Sequence, residues 1–239
     1  METRFAQSAN LWNLFMAAKF DAYAKDYETL HANSITASGE QPGYFSDYKV
    51  ECLWRLSGSN FDEPVLDYGC GVGALTQRLC TRYRQVCGFD PSAKSLALAR
   101  ERVNGAVFYD EPESLPRGHF GIVVVANVLH HVPPADRLAL VRSMGELLRP
   151  GLGRLVVFEH NPYNPLTRRA VAKCEFDGDA ILLSPGELTA LFRAAGYTRV
   201  QRRFIVFFPK FLAPLRPAEP YMGWLPAGAQ MMVSGTSPA

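Results

Sequence analysis

The sequence predicts an α/β protein built on one open, mostly parallel sheet. Three observations carry this. Apolar runs of strand length alternate with segments whose apolar residues recur every three or four positions. The first run, Pro64 to Tyr68, enters a turn holding Gly69, Gly71 and Gly73, and a helical pattern starts at once after it. The next run, Val86 to Phe89, ends in an acid, Asp90.

Residues 9 to 30 read as one or two helices. Leu11, Leu14, Phe15 and Ala18 share a face, and Phe20, Tyr23 and Tyr27 continue at three- and four-residue steps. His31 to Gly43 is polar and broken by Gly39 and Pro42–Gly43, as a loop at a pocket mouth would be. Tyr44 and Phe45 follow, with Ser46 as a cap for a helix from Asp47 to Leu56 carrying Val50, Leu53 and Trp54. The glycine turn after Asp67 suits a strand-to-helix reversal, where positive φ and close backbone approach to a ligand are needed. The bare N–H groups of the helix start then face whatever lies in the turn. Leu75, Leu79 and Tyr83 mark the buried face beyond it.

The alternation continues. Leu96, Ala99 and Val103 form the inner face of a helix opened by Pro91, Ala106–Tyr109 is the third strand, and Asp110 and Glu111 stand at its tip. Gly121–Ala126 is a continuous apolar run, the mark of a strand covered on both faces. A helix after Pro133–Pro134 carries Leu140, Met144, Leu147 and Leu148 and stops at Arg149–Pro150–Gly151. Leu155–Phe158 is the fifth strand. Ser184–Pro185–Gly186–Glu187 is a capping box opening a helix that Gly196 ends. Tyr197–Phe208 and Ala229–Val233 are the last two strands, and Ser234–Ala239 reads as a frayed tail.

The chain has 239 residues, 48% of them hydrophobic, which suits one globular domain. A net charge of +2 gives no argument for nucleic acid as a partner. Five cysteines without metal-ligand spacing favour a reducing, cytoplasmic setting, with no structural disulfide and no metal. The first residues do not read as a signal peptide, and no run is long enough for a membrane span.

Val65–Leu66–Asp67–Tyr68–Gly69–Cys70–Gly71–Val72–Gly73 resembles motif I of the class I S-adenosylmethionine-dependent methyltransferases. Gly88–Phe89–Asp90–Pro91–Ser92 is similar to their post-I segment, Val123–Val132 to their fourth-strand motif, and Leu147–Val157 to the stretch before their fifth strand. The resemblance covers about residues 62 to 160. It implies a Rossmann-like seven-stranded sheet of order 3-2-1-4-5-7-6, with the last strand antiparallel and N-terminal lid helices. Residues 1–60 would form the helical lid and 61–239 the core. The connection 209–227 is far longer than a hairpin needs, so it either caps the pocket between the last two strands or packs on its own sheet or a second copy. It implies S-adenosylmethionine as cofactor, held by Asp67, Gly69, Gly71, Asp90, Pro91 and Asn127. One of Asp110 and Glu111 would meet the adenine. Tyr27 would touch cofactor or substrate, since Phe20–Tyr27 matches the family's Phe-Asp-x-x-Ala-x-x-Tyr lid segment. Phe120–Gly121 departs from the family's usual Phe-Asp.

The acceptor belongs outside the carboxyl ends of the strands. Candidates for proton transfer there are His130, His131 and Glu159. If the fourth strand continues, His130 and His131 point to opposite sides, and His130 with Glu159 is the favoured pair. Tyr44, His160, Asn161, Tyr163 and Trp224 are candidates for acceptor binding. Arg168, Arg169 and Lys173 would hold an anionic group, unless they form a solvated face. The expected reaction is in-line transfer of a methyl group to a small hydrophobic or amphiphilic molecule, with peripheral contact to a lipid-like substrate left open. Two other readings remain. Gly69-x-Gly71-x-x-Ala74 fits a loose nicotinamide-reductase fingerprint, and a non-catalytic cofactor-binding module would carry the same turn.

Overall fold

The computed structural model describes residue 18 and residues 20–239. The predicted stripe of Leu11, Leu14 and Phe15 lies outside them. Seven strands form one sheet: β1 (Val65–Tyr68), β2 (Val86–Phe89), β3 (Ala106–Tyr109), β4 (Ile122–Ala126), β5 (Arg154–His160), β6 (Thr198–Ile205) and β7 (Gln230–Thr236). Their order is β3-β2-β1-β4-β5-β7-β6, as expected. The first five pair in parallel, and β7 runs antiparallel to both β5 and β6. Among the described residues the helices are α1 (Tyr27–Ser34), α2 (Pro42–Leu56), α3 (Ala74–Leu79), α4 (Ala93–Arg102), α5 (Pro134–Leu147), α6 (Pro165–Lys173) and α7 (Pro185–Ala194).

The alternation of side chains along β1 divides the core in two. Leu66 and Tyr68 join Val141, Met144, Leu147, Leu188 and Phe192 of α5 and α7 on one face. Val65 joins Val50, Leu53, Leu75 and Leu79 of α2 and α3 on the other. Each of these side chains contributes about 1.5–3 kcal/mol by leaving water. The Ser184 prediction holds: its Oγ accepts from the N–H of Glu187 with Pro185 in the first helical position; α4 is opened not by Pro91 but by Ser92, whose Oγ accepts from Ser95 N–H.

Several boundaries differ from the sequence reading, each for a local reason. Helix α2 begins at Pro42, not after a Ser46 cap; Gln41 is extended, and proline is tolerated in a first turn whose N–H groups need no partner. The predicted loop from His31 is helical through Ser34 and then makes a 3-10 turn at Thr36–Ser38. Strand β6 stops at Ile205 because Val206 turns the chain with φ +60. Strand β7 runs on through the predicted tail: Ser234 to Thr236 pair with β5, and Ser237 then donates to the Arg149 carbonyl. Gly121 also has a local reason. A Cβ there would overlap the Glu63–Arg149 ion pair.

Residues 209–227 pack on their own sheet, the second of the two readings: Phe204 N–H donates to the Gly223 carbonyl and the Arg203 guanidinium to the Pro220 carbonyl. Lys210–Tyr221 forms 3-10 turns packed beside α2 and β6. Buried Glu219 fixes it: one carboxylate oxygen accepts from the Phe207 and Phe208 N–H groups, and the other from the Tyr48 hydroxyl. Phe211, Leu215, Tyr221 and Trp224 stay exposed.

Candidate cofactor and methyl-transfer site

The principal cavity lies where the sheet order reverses, at the carboxyl ends of β1, β2 and β4, the place an open α/β sheet offers a ligand. It encloses about 1020 Å³ of empty space, open solvent at its mouth included. Gly69 and Gly71 line it, with φ of +79 and +52. A Cβ on Gly69 would stand 2.5 Å from Cγ2 of Val128, so the first turn is closed by packing on the turn after β4.

Asp90 sits at the tip of β2 with Pro91 beside it, both on the cavity wall. Its Oδ2 accepts from Gly71 N–H at 2.8 Å and its Oδ1 from Ser92 N–H at 2.9 Å. Each carboxylate oxygen keeps a further lone pair, so the group can also accept from a diol. Burial pushes its carboxyl up to about 6, against those two hydrogen bonds. Asp67 stands behind the wall, not on it. Thr76 donates to it at 2.7 Å, and burial with the nearby Asp90 charge raises it to about 7. Asn127 lines the cavity in a left-handed conformation, φ +58, and its buried Oδ1 has no partner among the described residues. A strained residue with an orphaned acceptor at a cavity wall marks a place for a ligand donor.

The N-terminal helical residues cover this opening. Tyr27, His31 and Ser34 line the cavity. Asp21 accepts from the Ser92 hydroxyl at 2.6 Å and from Lys94 N–H at 3.1 Å, and Glu28 pairs with Arg102 at 2.7 Å. Tyr27 stacks on Phe176, with ring centroids 4.9 Å apart. Asp110 and Glu111 are both exposed and lie off the cavity wall.

Strand β4 does not continue past Ala126. Residues Leu129–His131 form a 3-10 turn, which lets both histidines reach one carboxylate. His130 Nδ1 lies 2.6 Å from Glu159, and Nε2 lies 3.4 Å from Asp177. Glu159 also accepts from Leu129 N–H at 2.8 Å. Burial opposes a charge on His130, but the two carboxylates outweigh it and raise its pKa to about 9. It is therefore a buried imidazolium, off the cavity wall, and unsuited to accept a proton. His131 is the one that lines the cavity. Its Nε2 is 3.4 Å from Asp177, and its ring meets Phe20 edge-on at 5.3 Å. Burial works to raise Asp177, yet the hydrogen bonds from both histidines hold it well below the carboxylate range. His160 shares the wall. Burial and the His130 charge keep it neutral, at about 4.

Ligand atoms of His130, His160 and Asp177 fall within 4.8 Å of one another, a grouping that could suit a metal ion. A metal ion there would have to displace the proton that Glu159 and Asp177 favour on His130.

The remaining candidates separate by burial. Asn161 is fully buried, but its side chain is spent on the Pro226 and Gly228 carbonyls and the Tyr163 N–H. Tyr163 and Trp224 are exposed and off the cavity wall. Arg168, Arg169 and Lys173 lie on the outer face of α6, in solvent. Two groups escaped the sequence reading. Asp177 closes the histidine cluster from a loop whose acids carried no motif. Lys49 is buried on α2 with its ammonium 6.0 Å from the Phe158 ring centroid, and burial lowers it to about 8. No hydrogen bond or ion pair among the described residues engages it. Its place, twenty residues before Gly69 on an otherwise apolar helix face, was the available signal.

A parallel sheet with a glycine turn after its first strand and a buried acid ending its second defines a Rossmann-like nucleotide-cofactor protein. Residues 65–151 match a family model described as a methyltransferase domain. The sheet order and the solved structures below show the fold of the class I S-adenosylmethionine-dependent methyltransferases. It is 30% identical over 142 residues to a ubiquinone biosynthesis O-methyltransferase of Serratia proteamaculans, covering 56% of each chain. An uncharacterised methyltransferase of Bacillus velezensis is 24% identical over 64% of this chain and 73% of its own. The chain spans about half the length of the first of these relatives. Among solved structures, magnesium protoporphyrin IX methyltransferase of Synechocystis, with bound S-adenosylhomocysteine, superposes with a TM-score of 0.64 at 16% identity, covering 95% of this chain and 99% of that one. A SAM-dependent methyltransferase of Thermotoga maritima gives 0.65 at 20% identity, over 92% and 99%.

Proposed function

We propose that the protein transfers a methyl group from S-adenosylmethionine to a small acceptor molecule. The observation that carries this is the pairing of buried Asp90, with free lone pairs on the cavity wall, and left-handed Asn127, with an orphaned buried oxygen across from it. Asp90 accepts the ribose hydroxyls, Asn127 receives a donor from the cofactor, and the Gly69–Gly71 turn lets the backbone approach it. Asp67 favours the cationic end of the amino-acid moiety. Lys49, a buried cation over the Phe158 ring with no hydrogen bond or ion pair among the described residues, favours its carboxylate.

When bound, the cofactor supplies a methyl group already activated on a sulfonium, so much of the rate comes from proximity and orientation. An acceptor hydroxyl must shed its proton, and His131, on the wall and oriented by Asp177, takes it. His130 and Glu159 are positioning residues: the imidazolium and its carboxylate partner lock Asp177 behind His131. Neutral His160 orients the acceptor. Tyr27 and the neighbouring N-terminal residues act as a lid that excludes water. The cysteines are free thiols, which suits a reducing cytoplasmic compartment.

Calorimetric titration of S-adenosylhomocysteine tests the reading. Wild type should bind in the micromolar range, and Asp90→Ala should lose about 1–3 kcal/mol, the cost of leaving buried partners unpaired. No binding by wild type would sink it.

A further inference from the structure

A second cavity adjoins the first and shares part of its wall. It holds about 790 Å³ of empty space, open solvent included. Ser34, Ile35, His160 and Ala170 belong to the walls of both cavities, so the two meet at these residues. Away from that junction the wall is mainly apolar, with Phe45, Val206, Phe207 and Phe208 as its larger members, and it reaches the surface beside Leu166, which is 61% exposed.

Two wall residues, Gln230 and Tyr44, carry buried polar atoms with no partner among the described residues: Gln230 Oε1 and the Tyr44 hydroxyl. Gln230 itself is 6% exposed. A buried acceptor without a partner costs about 1–3 kcal/mol, which a ligand donor would recover. The one ionised group on this wall, Glu40, is neutralised by Arg216, whose guanidinium lies over the Tyr44 ring. The basic residues of α6 face solvent, because Leu166, Thr167 and Ala170 are the ones turned to the cavity.

We infer that this second cavity is the acceptor lobe. It takes an elongated apolar body carrying an isolated polar group, with the reacting end held at His160 and the tail leaving past Leu166. The inference rests on the methyl-transfer reading for what happens at the reacting end, and on the cavity alone for the shape and polarity of the ligand. Charged acceptors such as nucleotides have no counter-charge here.

The test is calorimetric titration of 4-ethylphenol, 4-butylphenol and 4-hexylphenol, with and without saturating S-adenosylhomocysteine. Affinity should rise about fourfold per added methylene, the factor for burying one such group. Ala37→Trp and Leu166→Asp alter exposed residues at the rim and leave the cofactor cavity intact. Both should flatten that gradient while S-adenosylhomocysteine binds as in wild type. Absence of phenol binding, affinity independent of chain length, or a full gradient in both variants would overturn the lobe. A gradient that the variants abolish, in a protein that does not bind S-adenosylhomocysteine, would keep the lobe and remove the methyl-transfer reading instead.

Discussion

His130 shows how position changes what a residue can do. Its sequence neighbourhood suggests a base at a strand tip; its surroundings make it a cation. With a pKa near 9 in the folded chain against 6.5 for the free side chain, its contribution to stability is complete below about pH 6.5 and is lost as pH rises through 9. The gap in melting temperature between wild type and His130→Gln should therefore be widest at about pH 6 and close toward pH 10. A gap independent of pH would mean that His130 is neutral in the fold. The same logic explains the exchange of roles with His131. Side-chain alternation assumes extended backbone, and the chain leaves that conformation at Asn127. No feature of Asn127–Val128–Leu129 announces a 3-10 turn, so the sequence could nominate both histidines without assigning their directions.

At the level of elements, the segment after β6 is held by one side chain. Glu219 serves two N–H donors and a tyrosine hydroxyl while 4% exposed. Glu219→Ala should cost about 3 kcal/mol in urea unfolding, since hydrogen bonds to a charged group contribute about 1.5–3 kcal/mol each and relaxation returns part of the loss. Trp224→Ser, at an exposed site on the same segment, should stay within about 0.5 kcal/mol of wild type. Equal effects would mean that the segment is not anchored through Glu219. The sequence showed the segment's length and its prolines but not its destination. A lone glutamate among apolar residues reads as solvated, and its partners are two backbone N–H groups, which no sequence marks, and a tyrosine 171 residues away. The parallel elements were legible because each is defined locally, by an apolar run, a glycine turn or a cap. Ser234–Thr236 was missed because small polar residues in a central strand leave no apolar period to read.

For the whole molecule, the order β3-β2-β1-β4-β5-β7-β6 brings a glycine turn, a buried acid and a left-handed asparagine to one end of the sheet. None of these makes a site alone, and the order of motifs along the chain was enough to foresee their meeting. The acceptor side was less legible because its walls come from α1, α6 and the ends of β6 and β7, elements tied by packing and not by motif. A ligand that fills the cofactor cavity binds the folded chain and not the unfolded one. S-adenosylhomocysteine at a hundred times its dissociation constant should add about 2.7 kcal/mol to unfolding free energy. Chemical denaturation at two ligand concentrations measures this, and an unchanged midpoint would place the binding elsewhere than in the folded cavity.

The contact between Gly69 and Val128 reaches beyond either turn. The space that Gly69 leaves for its missing side chain is occupied by a methyl of Val128, one residue from Asn127 and two from His130. A change at position 69 thus displaces the turn that carries the histidines, and one at 128 loosens the turn that receives the cofactor. The two positions form a single packing unit. In a randomised library they should be selected jointly, and a grafted substrate specificity that rebuilds one turn will have to import the other.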